Sequence, residues 1–207
     1  MIATAQLPVA EKIPTTSTSI KKERKTVYIS QETYYRKYRN REDGFKYEWL
    51  DGIVEKTPKS MTDKQAHIAE NLNLLFYTLK IAGKIQGSFQ TEKDTNVEEK
   101  RIRIPDMCYL NPQQAYDAAN GGHPVSEFMI EVVSPTDKIY DYASKLKDYR
   151  AAGVKVVWLI FPHVEQVYVY EGKTMTIQSS SDICSAEPVL PDFAIATADI
   201  FKKPTAP

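Results

Sequence analysis

The sequence predicts an α/β fold: a central mixed β-sheet flanked by helices, with an N-terminal hairpin. Three observations carry this. Asp51-Gly52 joins two strand-like runs, a helical apolar pattern follows, and a series of strand-like segments is then interrupted by one clear helix. With 207 residues the chain can bury one substantial core, and length gives no reason to divide it. Residues 1–25 read as a mobile tail, 26–203 as the domain and 204–207 as a frayed end, because both ends are poor in apolar periodicity.

Ser30 suits the N-cap of a short helix running to about Tyr38, and Asn40 to Gly44 reads as a polar loop. In KYEWLDGIVEKT, Asp and Gly both tolerate positive φ, so a two-residue turn would set Leu50 against Ile53 and Glu48 against Glu55. Thr62 and Gln65 fit a capping box. Beyond it Ile68, Leu72, Leu75, Phe76 and Leu79 recur at helical spacing until Gly83, predicting a helix over about 63–82. Strands are expected at about 85–91, 103–110, 127–133, 155–161, 164–170 and 174–178, and a helix at about 138–152. Val154 to Phe161 is apolar almost throughout, as a central strand covered on both faces would be. VEQVYVYEGKTMTI alternates like a half-exposed hairpin around Glu171-Gly172-Lys173.

Composition narrows the function classes. Hydrophobic residues at 42% and charged residues at 26% describe a globular chain, not a disordered or collagenous one. There is no apolar run of roughly 20 residues and no secretory signal pattern, so a cytoplasmic address without a membrane partner is expected. Cys108 and Cys184 lie outside any CxxC spacing and read as plain buried thiols. The 27 basic and 27 acidic residues cancel, so a nucleic-acid contact would need local patches. The candidates are Arg36/Lys37/Arg39/Arg41 and Lys100/Arg101/Arg103, each weighed against an ordinary solvated face.

Two acids stand where a core wants hydrophobic residues. Asp106 follows Pro105 at the start of an apolar strand, and Glu131 interrupts the run Phe128–Val133. A carboxylate there is costly unless its charge is compensated, and a hard divalent cation such as Mg²⁺ is one compensator. The alternatives are a polar strand end for Asp106 and a buried Arg or Lys partner for Glu131. Glu48 across from Glu55 would be a like-charge pair, unfavourable unless a cation intervenes. His67, about 100° from the buried stripe of its helix, suits a surface or capping residue better than a base.

These residues resemble the Uma-type restriction endonuclease family of the PD-(D/E)XK nuclease superfamily. The resemblance runs from about Tyr47 to Phe201 through YEWLDGIVE, the helix near His67, RIPD, IEVVSPTD, DYASKLKDY, AAGVKVVWLIFP and PDFAIATADIF. It implies a restriction-endonuclease-like fold, with Pro105-Asp106 as the PD pair, Glu131 as the second acid and the Val132 backbone carbonyl completing a Mg²⁺ or Mn²⁺ shell. Glu48 is implied as a further site member; Gln90, on the strand before RIPD, is a lesser candidate by its position.

One position departs from the superfamily pattern: Val133 stands where the final lysine is expected. In the Uma-type pattern the lysine looks displaced to the following helix, which offers Lys145 and Lys147. Relative to the stripe Tyr142, Leu146 and Tyr149, Lys145 lies about 60° to one side and Lys147 about 140° away, so Lys145 alone can reach the site along the apolar edge. Lys138 is a secondary candidate, and an ion pair of Lys145 with Asp141 is the structural alternative. The expected activity is a divalent-metal-dependent DNA endonuclease, a homodimer because cutting two strands is simplest with two symmetric sites, and without an organic cofactor. A catalytically degenerate nucleic-acid-binding domain and a protein-interaction module with structural acids are the rivals.

Overall fold

The computed structural model describes residues 26–58, 63–134 and 139–204. The expected tail 1–25, the capping box at Thr62 and Gln65, Lys138 and residues 205–207 lie outside the described residues or side chains.

Ser30 caps α1 (Gln31–Tyr34), its Oγ accepting from the Thr33 N–H at 3.2 Å, and the helix widens into a π-helical turn over Tyr35–Arg39. The hairpin follows as β1 (Phe45–Leu50) and β2 (Ile53–Pro58), with Leu50 opposite Ile53 and Glu48 opposite Glu55. Asp51 and Gly52 take φ of 52° and 88°, the left-handed pair that a two-residue hairpin turn demands. Next comes α2 (Asp63–Ile81), burying Ile68, Leu72 and Phe76.

The expected strand at 103–110 is two strands in two sheets. β5 (Arg101–Arg103) pairs with β1 and with β4 (Thr95–Glu98), giving a four-stranded sheet in the order β2-β1-β5-β4. β6 (Met107–Leu110) belongs to a six-stranded sheet with β3 (Ser88–Thr91), β7 (Phe128–Val132), β8 (Val156–Phe161), β9 (Gln166–Glu171) and β10 (Thr174–Ser179), ordered β10-β9-β8-β7-β6-β3. Pro105 has no N–H to continue a ladder, and the chain crosses between sheets there. Gly87 leads into β3 with φ of 85°, and a Cβ on it would stand 2.2 Å from the Leu110 carbonyl oxygen, so the end of β6 requires glycine.

A further helix, α3 (Pro112–Ala119), fills the interval after β6. Its signals are local: an Asn111 N-cap, Pro112 in the first turn and a complete capping box with Gln114. β7 and β8 run parallel, which requires a crossover connection, and α4 (Ile139–Ala151) supplies it. β11 (Ile183–Ala186) and β12 (Leu190–Ala196) form a separate ribbon before α5 (Thr197–Ile200).

Alternation along β7 divides the core. Phe128, Ile130 and Val132 pack beneath α2 with Trp158 and Phe193, whereas Met129 and Leu159 pack beneath α4 with Tyr142, Leu146 and Tyr149. Glu131 therefore points to the α4 face. A third cluster of Tyr34, Tyr47, Trp49 and Ile102 holds the hairpin sheet to the N-terminal helix. Cys108 and Cys184 are buried free thiols. Among the described residues no helix is long and apolar enough to cross a membrane.

Candidate active site

The site lies where the two sheets meet under α4. On β1, Tyr47 and Trp49 turn into the third cluster, so Lys46 and Glu48 share the opposite face. Glu48 is buried at 4% exposure, and both of its oxygens are engaged: Oε1 accepts from the Ile104 N–H at 2.8 Å and Oε2 from Arg103 Nη1 at 2.9 Å. Arg103 also lies 3.7 Å from Glu55. The like-charge pair in the hairpin register is thus bridged by a guanidinium. Burial works against the Glu48 charge, but Lys145, Arg103 and the Ile104 N–H outweigh it and hold the carboxyl below its usual range.

Pro105 places Asp106 just before β6. Where the β6–β7 ladder ends at Met107 and Ile130, the Asp106 side chain takes over the next bond, its Oδ2 accepting from the Val132 N–H at 2.7 Å. Its Oδ1 faces Lys46 Nζ at 2.7 Å, and Lys46 also donates to the Ile104 carbonyl. Despite burial, Lys46 and Lys145 keep this carboxyl below the usual aspartate range.

Glu131 repeats the arrangement on the next strand. Tyr149 OH donates to its Oε1, and Lys145 Nζ lies 2.8 Å from its Oε2. Burial pushes the Glu131 carboxyl up, with Lys145 pulling against it. The same burial opposes the Lys145 charge, yet Glu131, Glu48 and Asp106 together raise that ammonium well above the ordinary lysine value. Tyr149 is likewise held neutral, by burial and by the adjacent carboxylate. Glu131 is sealed at 1% side-chain exposure, whereas Asp106 keeps 28%, so the approach from solvent lies on the Asp106 side.

Asp106, Glu131, Glu48 and Lys145 therefore belong to one connected cluster. Lys145 pairs with Glu131 and not with its helical neighbour Asp141, which is exposed, and Lys147 faces outward. Val132 contributes its N–H to Asp106.

Other candidates stand apart. His67 is partly exposed, 3.8 Å from Glu70, on the helix covering the opposite face of the sheet from Glu131. Gln90 lines a different cavity, together with Lys93 and Asp94. The expectation of a surface patch at Lys100, Arg101 and Arg103 fails at Arg103: at 2% exposure its guanidinium is tied to Glu48, to Asp148 at 2.7 Å and to Ser144 at 2.9 Å. Arg101 is bound to Asp51 and Asp148, leaving Lys100 as the exposed member. In the other patch Arg39 pairs with Asp94 and Arg41 with Asp43, and Arg36 and Lys37 are exposed.

Four participants escaped the sequence reading. Lys46 could have been found, since Lys-x-Glu on a strand puts both side chains on one face. In sequence Tyr149 reads as core packing, and only its hydroxyl partner reveals more. Arg103 reads in sequence only as part of a basic patch, and Asp148 carries no distinguishing local signal.

Among the described residues no group of three or more His, Cys, Asp or Glu side chains could hold a metal ion. A site built from two carboxylates must be judged on donor chemistry instead. Each acid is anchored through one oxygen by a neutral donor, the Val132 N–H or the Tyr149 hydroxyl, and turns the other to an ammonium. Two hard oxygens presented to cations suit Mg²⁺ or Mn²⁺.

This mixed sheet, its parallel pair spanned by α4, has the restriction-endonuclease-like α/β fold. The chain belongs to the Uma2 family, described as "Putative restriction endonuclease", whose model matches residues 31–198. Among solved structures it resembles a "putative nuclease belonging to DUF820" from Anabaena variabilis, with a TM-score of 0.62 and 17% identity over 75% of this chain and 89% of that one. No curated protein matches it significantly.

Proposed function

We propose that this chain is a divalent-metal-dependent DNA endonuclease in which Asp106 and Glu131 hold the ion, with the Val132 carbonyl as a third protein ligand. The observation that carries this reading is the shared construction of the two acids: one oxygen of each is fixed by a neutral donor and the other is directed at a cation. Family membership supports nuclease chemistry. When bound, the ion supplies charge to the scissile phosphate and acidifies water.

The remaining work falls to this chain's side chains. Glu48, Asp106, Glu131 and Asp148 are paired with Lys46, Arg101, Arg103 and Lys145, and the exposed Asp51 and Glu55 share Arg101 and Arg103. To offer Asp106 and Glu131 to an ion, Lys46 and Lys145 would have to release the carboxylate oxygens they now face. Lys46 and Lys145, on rotatable stems, can swing toward an anionic phosphate, whereas Arg103 is locked by three acceptors. Lys145 stays protonated among its three acids, so it stabilises charge on the phosphoryl oxygens and does not take a proton from water. Glu48, with both oxygens occupied, positions the Ile104–Asp106 segment. Two copies related by a two-fold axis would present one site to each strand of a duplex.

Incubation of the full chain with supercoiled plasmid and linear duplex across Mg²⁺ and Mn²⁺ concentrations tests this. Cleavage that chelation stops and Asp106→Asn abolishes is expected. The ion pairs that already compensate both acids favour one other reading, a degenerate domain that binds DNA without cutting it. Metal-independent binding with no nicking under any condition would select that reading.

A further inference from the structure

β10 ends the six-stranded sheet, and among the described residues no strand pairs with its outer side. An open edge presents unpaired N–H and C=O groups that can take on another strand, and folds commonly blunt it with charge, proline or brevity. β2, at the edge of the other sheet, carries exposed Glu55, Lys56 and Pro58, and β3, at the far side of the six-stranded sheet, is four residues long. β10 has none of these guards. Its sequence, Thr-Met-Thr-Ile-Gln-Ser, includes no charge and no proline, and Met175 and Ile177 are 45% and 49% exposed.

The β9–β10 hairpin fixes which groups face outwards. Thr174 lies opposite Glu171 across a two-residue turn, and the pair flanking such a turn exchanges both hydrogen bonds. Alternation then turns the backbone groups of Thr174, Thr176 and Gln178 towards β9 and those of Met175 and Ile177 towards the open side. The side chains divide as well. Met175 and Ile177 stand opposite Tyr170 and Tyr168, which pack against the cluster beneath α4, and the two threonines take the other face.

We infer that β10 is a dimer interface, pairing antiparallel with β10 of a second copy about a two-fold axis at Thr176. An antiparallel pair has two-fold axes of its own, so a strand can pair with itself wherever the opposed side chains match. Only an axis through a residue brings outward-facing backbone groups opposite one another. Among such axes, the one at Thr176 sets Met175 against Ile177 of the partner subunit, and does so twice. Thr176 then meets its own copy and Thr174 meets Gln178 of the partner subunit. Apolar faces apolar on the α4 side and polar faces polar on the other, with no charges opposed. Because the pairing consumes this edge in both copies, assembly closes at two. The axis runs perpendicular to the sheet, so both α4 faces lie on the same side. The interface stands on the strand edge alone and needs no nuclease activity.

Sedimentation equilibrium of the full chain, without DNA or metal, should show a dimer. Met175→Lys combined with Ile177→Lys should raise the dissociation constant at least about tenfold, because lysine would oppose lysine twice. Met175→Glu combined with Ile177→Glu should do the same, and mixing the two variants should restore pairing. Oxidation reads the register. Thr176→Cys sets two thiols in a non-hydrogen-bonded pair, whose Cα separation of about 4.5 Å a disulfide can span. It should give a covalent dimer, whereas Thr174→Cys and Gln178→Cys should each fail alone and cross-link when mixed. The native Cys108 and Cys184 are buried and do not compete. Circular dichroism is the fold control. A monomeric wild type, folded lysine variants that still dimerise, no rescue on mixing, or cross-linking by Thr174→Cys alone would each overturn the inference. A β10 dimer that never cuts DNA would count against the nuclease reading alone, and cleavage by a monomer against the interface alone.

Discussion

Lys145 and Glu131 are fourteen residues apart on α4 and β7, yet the ammonium of one lies 2.8 Å from Oε2 of the other. The pair spans the parallel crossover, so the strand that presents the acid and the helix that presents the lysine are set by the same connection. A lysine two residues after Glu131 would be Val133, which is half-buried against the cluster under α4. The helix supplies from above what that strand position does not.

Lys145→Ala should lower metal-dependent cleavage by about two orders of magnitude, comparable to losing a preorganised electrostatic contact. Lys147→Ala should be nearly silent, since that side chain is exposed. Ion binding should survive in Lys145→Ala. The measurement is plasmid nicking by both variants, with circular dichroism as the fold control. Equal cleavage by wild type and Lys145→Ala would exclude the lysine from the chemistry.

Mg²⁺ or Mn²⁺ at 100 times its dissociation constant should stabilise the wild type by about 2.7 kcal/mol through mass action. Asp106→Asn and Glu131→Gln should lose most of that gain. Thermal unfolding with and without ion provides the readout, and identical shifts in all three proteins would place the ion elsewhere.

Breaking the Arg103 network should be severe. Arg103→Ala leaves Glu48 and Asp148 buried without the guanidinium they share, and removing one member of a buried pair costs roughly 3–5 kcal/mol. Replacing Arg103 and Glu48 together with methionine should recover part of the loss. Urea midpoints measure both, and a double variant no better than Arg103→Ala would mean that the charges are not the cause.

Acid should weaken the fold partly through Glu48 and Asp106. Both carboxyls are held below their usual values of 4.5 and 3.8, so the stability they contribute is fully present above those values. It is lost as the pH falls through the lowered native values, because the unfolded chain then binds more protons. Glu131, pushed up by burial, has the opposite sign: its contribution worsens as pH rises from 4.5 through its native value. Glu48→Gln should flatten the acid limb of a Tm-against-pH curve, and an unchanged limb would contradict this account.

Much of the fold was legible in sequence where the determinants are local. The Asp51-Gly52 turn fixed the hairpin register, helical spacing located α2 and α4, and the unbroken apolar run marked β8 as central. α3 is absent from the sequence-based expectation: Asn111, Pro112 and Gln114 carry its start signals, but its short apolar pattern concealed it. The division of 103–110 between two sheets could be read only in part. Pro105 marks a break in a ladder, but which strands its two sides join depends on partners elsewhere in the chain.

The sequence by itself determined the hairpin of β1 and β2, helices α2 and α4, strands β7 to β10, the two acids misplaced in apolar surroundings and the side of α4 from which a lysine can reach them. These follow from period, turn chemistry and the cost of burying charge, all carried by neighbouring residues. Tertiary structure decided the rest: that Lys46 meets Asp106 across sixty residues, that Arg103 is an internal clamp and not a surface contact, and that Arg39 meets Asp94 across fifty-five residues. A charged side chain looks the same in sequence whether it meets water or another charge, and only the folding of distant strands onto one another determines which.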